Sequence, residues 1–227
     1  MRFLIKLNLE EGKEISLNYG YLLSSAIYKI IQKADGEYAY FLHEKGYGKG
    51  FKLFTFSDLR CVYRIKGDRL VLEGREVSFI ISFHLPDAFE NFIKGLFLTQ
   101  VIELADNKSK VRLKVSSVES LVNPLMIYKE NELINIKVRP ISVIVAGLRK
   151  EDGKYNFLSP EDTRFTESLI YNWRSKIATL FGEAVAGTAL LMMEVLPMEQ
   201  PFKSRLITIK AGTDAQTPRK THIKNSF

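Results

Sequence analysis

The sequence predicts an α+β chain of two tandem βαββαβ units, the second incomplete at its C-terminus. Apolar residues along the first half of the chain switch repeatedly between a period of two and a period of 3.6. The segments so defined run strand, helix, two or three strands, helix, strand, the split βαβ order of a ferredoxin-like (RRM-like) domain. A similar series begins again after residue 120 and stops near residue 210. A chain of 227 residues has room for two such domains, 1–120 and 121–227, and for a core that needs no covalent staples.

Each element has its own warrant. Arg2 to Leu9 places Phe3, Ile5, Leu7 and Leu9 on one face, a half-buried strand. Tyr21 to Lys33 carries Leu22, Leu23, Ala26, Ile27, Ile30 and Ile31 in two rows at spacing four, one face of a helix. Lys52–Phe56, Arg60–Lys66 and Leu70–Phe83 are expected strands, punctuated by Gly67-Asp68 and Gly74. Helical spacing returns over Pro86–Leu98 through Phe89, Phe92, Ile93, Leu96 and Phe97, with Asp87 and Glu90 suited to its positive first turn. Lys110–Val118 alternates and closes the first unit.

In the second unit, strands are expected over Leu133–Val138 and Val143–Leu148, on either side of Arg139-Pro140. Ser159-Pro160 with Asp162 marks a helix start, and the helix continues through Phe165, Leu169, Trp173, Ile177 and Phe181. Ala189–Leu196 and Arg205–Lys210 are two more strands, with Leu190, Leu191, Met192 and Met193 as core. From about residue 211 the chain is expected to be an irregular basic tail.

Composition narrows the function classes. A single cysteine, Cys61, excludes an internal disulfide framework and points to a reducing compartment. No apolar run reaches the roughly 18 residues of a membrane helix, and Arg2 and Lys6 interrupt the apolar start, so a cytoplasmic chain with no membrane partner is expected. The net charge of +7 is uneven. Lys45–Arg75 holds eight cations against three anions, and Lys203–Phe227 six against one. A basic field confined to two segments suits a polyanion track.

Chemistry-bearing residues gather in the first of those segments. Of three histidines, His84 lies between a strand and a helix and His222 in the tail. His43 opens the loop Glu44-Lys45-Gly46-Tyr47-Gly48-Lys49-Gly50-Phe51-Lys52. Its glycines let backbone approach a ligand, its cations meet phosphates, and Tyr47 and Phe51 offer rings for stacking. Lys45, Tyr47, Lys49, Phe51, Arg60 and Arg64 are the nucleic-acid-binding candidates. At about 100° per residue, Tyr28 falls off the apolar face of its helix, with Tyr21, Ser24, Ser25 and Gln32. No zinc-spaced Cys/His cluster, phosphate-binding G-x-x-x-x-G-K-[ST] loop or H-E-x-x-H helix is present, so neither metal nor cofactor is expected.

A series of strings then fixes a resemblance: Met1-Arg2-Phe3-Leu4-Ile5, Ala26-Ile27-Tyr28, Leu42-His43-Glu44 and Lys52-Leu53-Phe54-Thr55-Phe56-Ser57. Arg139-Pro140-Ile141-Ser142-Val143, Phe157-Leu158-Ser159-Pro160 and Asn172-Trp173-Arg174-Ser175-Lys176 follow in order. Over about residues 1 to 210 the chain resembles the CRISPR-associated endoribonucleases that cut the repeat RNA of precursor CRISPR transcripts, in the RAMP superfamily. The resemblance implies tandem ferredoxin-like domains and metal-independent cleavage by attack of a ribose 2′-hydroxyl on the adjacent phosphate. It places the catalytic Tyr, His and Lys on Tyr28, His43 and Lys52. The imidazole of His43 suits either acid or base work, with Tyr28 as its counterpart and Lys52 as the cation at the phosphate. Implied partners are CRISPR repeat RNA and precursor crRNA, with CRISPR effector-complex proteins and a second copy of the chain as further candidates. The family's C-terminal glycine-rich RNA-binding loop has no counterpart after Ile209, where only Gly212 remains. The alternative reading of the same fold is a catalytically weak RNA-binding module that holds crRNA or delivers it to an effector complex.

Overall fold

The computed structural model describes residues 1–129, 132–149, 151, 155–196, 203–209 and 217–223, the last two stretches for backbone alone. Packing divides the chain into one unit of residues 1–46 and 52–139 and another of 47–51 and 140–227.

The first unit contains β1 (Arg2–Glu11), β2 (Glu14–Ser16), α1 (Gly20–Ala34), α2 (Gly36–Glu44) and β3 (Phe54–Phe56). It continues with β4 (Arg60–Lys66), β5 (Arg69–Phe83), α3 (Pro86–Thr99), β6 (Val101–Ala105) and β7 (Lys110–Leu121). Its seven strands form one antiparallel sheet. β1 lies between β5 (Arg2 opposite Ser82) and β7 (Arg2 opposite Leu121). β4 and β3 follow one another along the far side of β5 (Arg60 opposite Ser78, Phe54 opposite Phe83). The order β7–β1–β5–β4, with α1 and α3 as the two crossover helices, is the ferredoxin-like arrangement. β6 extends the sheet beyond β7.

The alternation in β1 buries Phe3, Ile5 and Leu7, which meet Leu23, Ile27 and Ile31 of α1, Phe79 and Ile81 of β5 and Phe92 of α3 in one buried core. α1 and α3 approach closely because residue 95 is glycine, where a Cβ would collide with the carbonyl oxygen of Ile30. Three elements of this unit lie outside the sequence expectations: the three-residue β2, β6 and α2. β6 is five residues long, yet it buries Ile102 and Leu104 in alternation. α2 buries only Ala39 and Leu42 of its nine residues, too few for a helical stripe to show.

The second unit contains the hairpin β8 (Gly147–Arg149) with β9 (Tyr155–Phe157), the helices α4 (Thr163–Phe181) and α5 (Glu183–Thr188), and the hairpin β10 (Lys203–Ile209) with β11 (Thr217–Ile223). Ala146, Leu158 and Phe165 form its buried cluster, with Ile144, Leu169 and Val195 packed on it. Here the sequence expectations need correction. Leu133–Val138 is not a strand, and Leu133 and Val138 are 76% and 80% exposed. Ala189–Leu196 is not a strand either, and Leu190 and Met192 face solvent. In both, the apolar spacing of a strand exists, but no neighbouring strand among the described residues completes its hydrogen bonds. α4 starts at Thr163 rather than after Ser159, because the Asp162 carboxylate accepts from the Arg164 amide at 3.0 Å and makes Asp162 the cap. In the tail, 211–216 and 224–227 lie outside the described residues; between them Thr217–Ile223 pairs with β10 rather than running irregularly. No helix among the described residues is long and apolar enough to cross a membrane.

Candidate active site

Tyr28, His43 and Lys52 come together within the first unit. Tyr28 sits on α1 beside the buried stripe of Leu23, Ala26, Ile27, Ile30 and Ile31, itself half-buried. Asp35 joins α1 to α2: its amide donates to the Ile31 carbonyl at 2.9 Å, closing α1, and its carboxylate accepts from the Tyr38 amide at 2.9 Å, opening α2. One residue thus fixes the turn between the helix of Tyr28 and the helix of His43. His43 lies in the last turn of α2, at the helix end that favours positive charge.

The edge of one ring meets the face of the other between Tyr28 and His43, with centroids 5.0 Å apart and planes at 86°. Phe54 of β3 packs against Tyr28 at 5.7 Å and 75°, and is backed by Phe83 and then Phe92. A chain of rings therefore ties the site to the core. The Lys52 ammonium donates to the His43 carbonyl oxygen at 2.6 Å, so it closes the C-terminus of α2. The His43 Nδ1 and the Glu44 carboxylate lie 2.7 Å apart. His43 and Glu44 are both more than half exposed, which leaves the imidazole open to an incoming ligand.

Electrostatics separate the three side chains. Burial pushes the Tyr28 phenol above its ordinary value of 10.0, so it holds its proton at neutral pH. Burial lowers the Lys52 ammonium from its ordinary 10.5, while the Glu44 carboxylate pulls in the opposite direction. The cluster therefore offers a phenol that stays protonated, an exposed imidazole and a cation held at the His43 carbonyl. Those are the parts of a proton-transfer site at a phosphate. Among the described residues, no group of three or more His, Cys, Asp or Glu side chains is placed to hold a metal ion.

The remaining candidates are spread out. Lys45 caps α2 and is exposed. Tyr47, Lys49 and Phe51 belong to the second unit, where the loop closes on itself: the Tyr47 amide donates to the Phe51 carbonyl at 2.8 Å, and the Phe51 amide to the Tyr47 carbonyl at 2.8 Å. Gly48 has φ +52, and a Cβ there would collide with Thr179 of α4. Arg60 and Arg64 are exposed on β4, with Arg64 paired to Glu73 at 3.0 Å. Glu44 and Phe54 touch the cluster but were not singled out from sequence. Adjacency to His43 was the available signal for Glu44, whereas the place of Phe54 depends on the register of β3 against β5.

A ferredoxin-like sheet carrying a Tyr, His and Lys cluster is the class of fold and site to set against known proteins. The family model described as "CRISPR-associated protein Cas6, N-terminal" matches residues 14–125. "CRISPR-associated endoribonuclease Cas6 1" of Methanocaldococcus jannaschii is 32% identical over 188 residues, covering 81% of this chain and 68% of the relative. The chain belongs to the Cas6 family. Solved structures agree on the fold. One described as "CRISPR associated protein Cas6" superposes with a TM-score of 0.61 at 23% identity, covering 98% of this chain and 85% of that one. A Cas6-related protein from Pyrococcus furiosus gives 0.70 at 19% identity, with the same two coverages. A protein titled as a RAMP protein binding different RNA substrates gives 0.66 at 17%, covering 99% and 88%.

Proposed function

We propose that the chain is an endoribonuclease that cuts CRISPR repeat RNA in precursor transcripts, without a metal ion, to give guide crRNA. The observation that carries the reading is the convergence of Tyr28, His43 and Lys52 from α1, the end of α2 and the start of the β3 segment. In this reading the ribose 2′-oxygen attacks the adjacent phosphorus as its proton passes to His43. The bond from phosphorus to the 5′-oxygen breaks, and that oxygen takes the Tyr28 proton. No water enters, so the ends are a 2′,3′-cyclic phosphate and a 5′-hydroxyl. The raised phenol supports Tyr28 as the acid, since a group that keeps its proton at neutral pH is a poor base. Lys52 supplies positive charge as the phosphate passes through its five-coordinate state. The repeat RNA is the partner; effector-complex proteins and a second copy of the chain are further partners in the same proposal.

The test is cleavage of repeat RNA in EDTA by wild type and by His43→Ala, with product ends mapped by their response to phosphatase and kinase. Cutting at one position in EDTA, slowed by about 10²-fold or more in the variant, is the expected result. RNA that is bound but uncut by wild type, or equal rates for the two proteins, overturns it.

A further inference from the structure

Most paired lysines in the first unit are neutralised: Lys6 by Glu119 at 2.6 Å, Lys110 by Glu103 at 2.7 Å, and Lys108 by Asp68 at 3.1 Å. Two lysines of the second unit are held differently. The Lys49 ammonium lies 5.4 Å over the ring of Tyr171 on α4 and 3.4 Å from its hydroxyl. The Lys176 ammonium, also on α4, lies 5.8 Å over the ring of Phe51 in the loop. Neither has a carboxylate partner among the described residues. A ring positions a cation without cancelling its charge, whereas a carboxylate does both. The arrangement is reciprocal, since a loop lysine rests on a helix ring and a helix lysine rests on a loop ring. The loop lies this close because residue 48 is glycine, where a Cβ would strike Thr179.

We propose that Lys49 and Lys176, poised over Tyr171 and Phe51, form a clamp for two phosphates of single-stranded RNA. The proposal rests on the RNA-cleaving reading above and adds Tyr171 and Lys176 to it. Two uncancelled ammonium groups, each pre-placed by a ring, bind a polyanion at a lower ordering cost than two freely rotating lysines. Tyr171 is 66% exposed, which leaves ring surface for a base to stack against. The site accepts any sequence, because phosphates and ring faces carry no base code.

The experiment measures binding of fluorescein-labelled repeat RNA with 2′-O-methyl riboses, which cannot be cut by 2′-hydroxyl attack, across a series of salt concentrations. Lys49→Gln and Lys176→Gln are each expected to weaken binding about fivefold and to lower the slope of log affinity against log salt by about 0.7. Tyr171→Leu is expected to weaken binding about threefold with the slope unchanged, since the charge remains and only its placement is lost; Tyr171→Phe restores wild-type affinity. Lys110→Gln, whose charge is already cancelled, serves as the control. Wild-type affinity and slope in both lysine variants overturn the clamp and leave the nuclease reading intact if unmodified RNA is still cut. Failure of the wild type to bind RNA at all overturns both.

Discussion

At Lys52 two influences oppose each other, and their balance is measurable. Burial favours the neutral amine, the Glu44 carboxylate favours the ammonium, and burial is the larger, so the side chain loses its proton below its ordinary 10.5. In the proposed mechanism only the ammonium stabilises the phosphate. The cleavage rate must therefore fall on the alkaline side as Lys52 deprotonates. Lys52→Arg keeps a cation that holds its charge well beyond the lysine range, so the alkaline limb should move to higher pH even if the plateau drops. A pH–rate profile of single-turnover cleavage for the two proteins checks this. An alkaline limb at the same pH in both would mean that another group sets it. Tyr28 belongs to the same argument, since burial moves its phenol up from 10.0 while it moves the Lys52 ammonium down from 10.5.

α2 shows how an element with little core of its own can set a site. Its two buried residues stabilise it weakly, and its start depends on the Asp35 carboxylate at the Tyr38 amide. Asp35→Ala should cost about 1 kcal/mol and fray the turn that fixes the angle from Tyr28 to His43. Urea unfolding should show that loss, and cleavage should slow severalfold while RNA affinity holds. Unchanged cleavage in a protein destabilised by this amount would separate the cap from the site. The weak packing of α2 also explains what the sequence withheld. α1, β4 and α3 were legible to within a residue or two, because each carries a periodic apolar face or firm turn signals at its ends. Leu133–Val138 and Ala189–Leu196 have strand-like spacing, and spacing alone cannot say whether a partner strand is present. For the candidate site, residue types in order were legible. The contacts were not, because Lys52 reaches the His43 carbonyl across a nine-residue separation and Phe54 reaches Tyr28 only once β3 pairs with β5.

In the first unit, a part-buried ion pair ties the start of β5 to the turn between β6 and β7. Arg69, at the start of β5, keeps only 10% of its side chain exposed. Its guanidinium donates to Asp106 at 2.5 Å and to Ser109 at 2.9 Å, in the turn between β6 and β7. Asp106 also accepts from the amides of Lys108 at 2.9 Å and Ser109 at 2.8 Å. Burial pushes the Asp106 carboxyl up, but the Arg69 hydrogen bond and the two amides together hold it below its ordinary 3.8. A carboxyl lowered on folding contributes stability that is present above its unfolded value and lost as pH falls through the folded one. Acid unfolding of the wild type should therefore carry a contribution from Asp106 below about pH 4, and Asp106→Asn should flatten the pH dependence there. Asp106→Ala is more severe: it leaves the largely buried Arg69 guanidinium with only the exposed Asp68 carboxylate, 3.7 Å away, at a cost of about 3 kcal/mol. Urea unfolding at pH 7 and at pH 3 measures both effects. The gap between wild type and Asp106→Asn should narrow at the lower pH, because the unfolded wild-type chain then binds a proton at Asp106 that the folded protein resists. A gap that stays constant would assign the stabilisation to the hydrogen bonds of the turn and not to the charge.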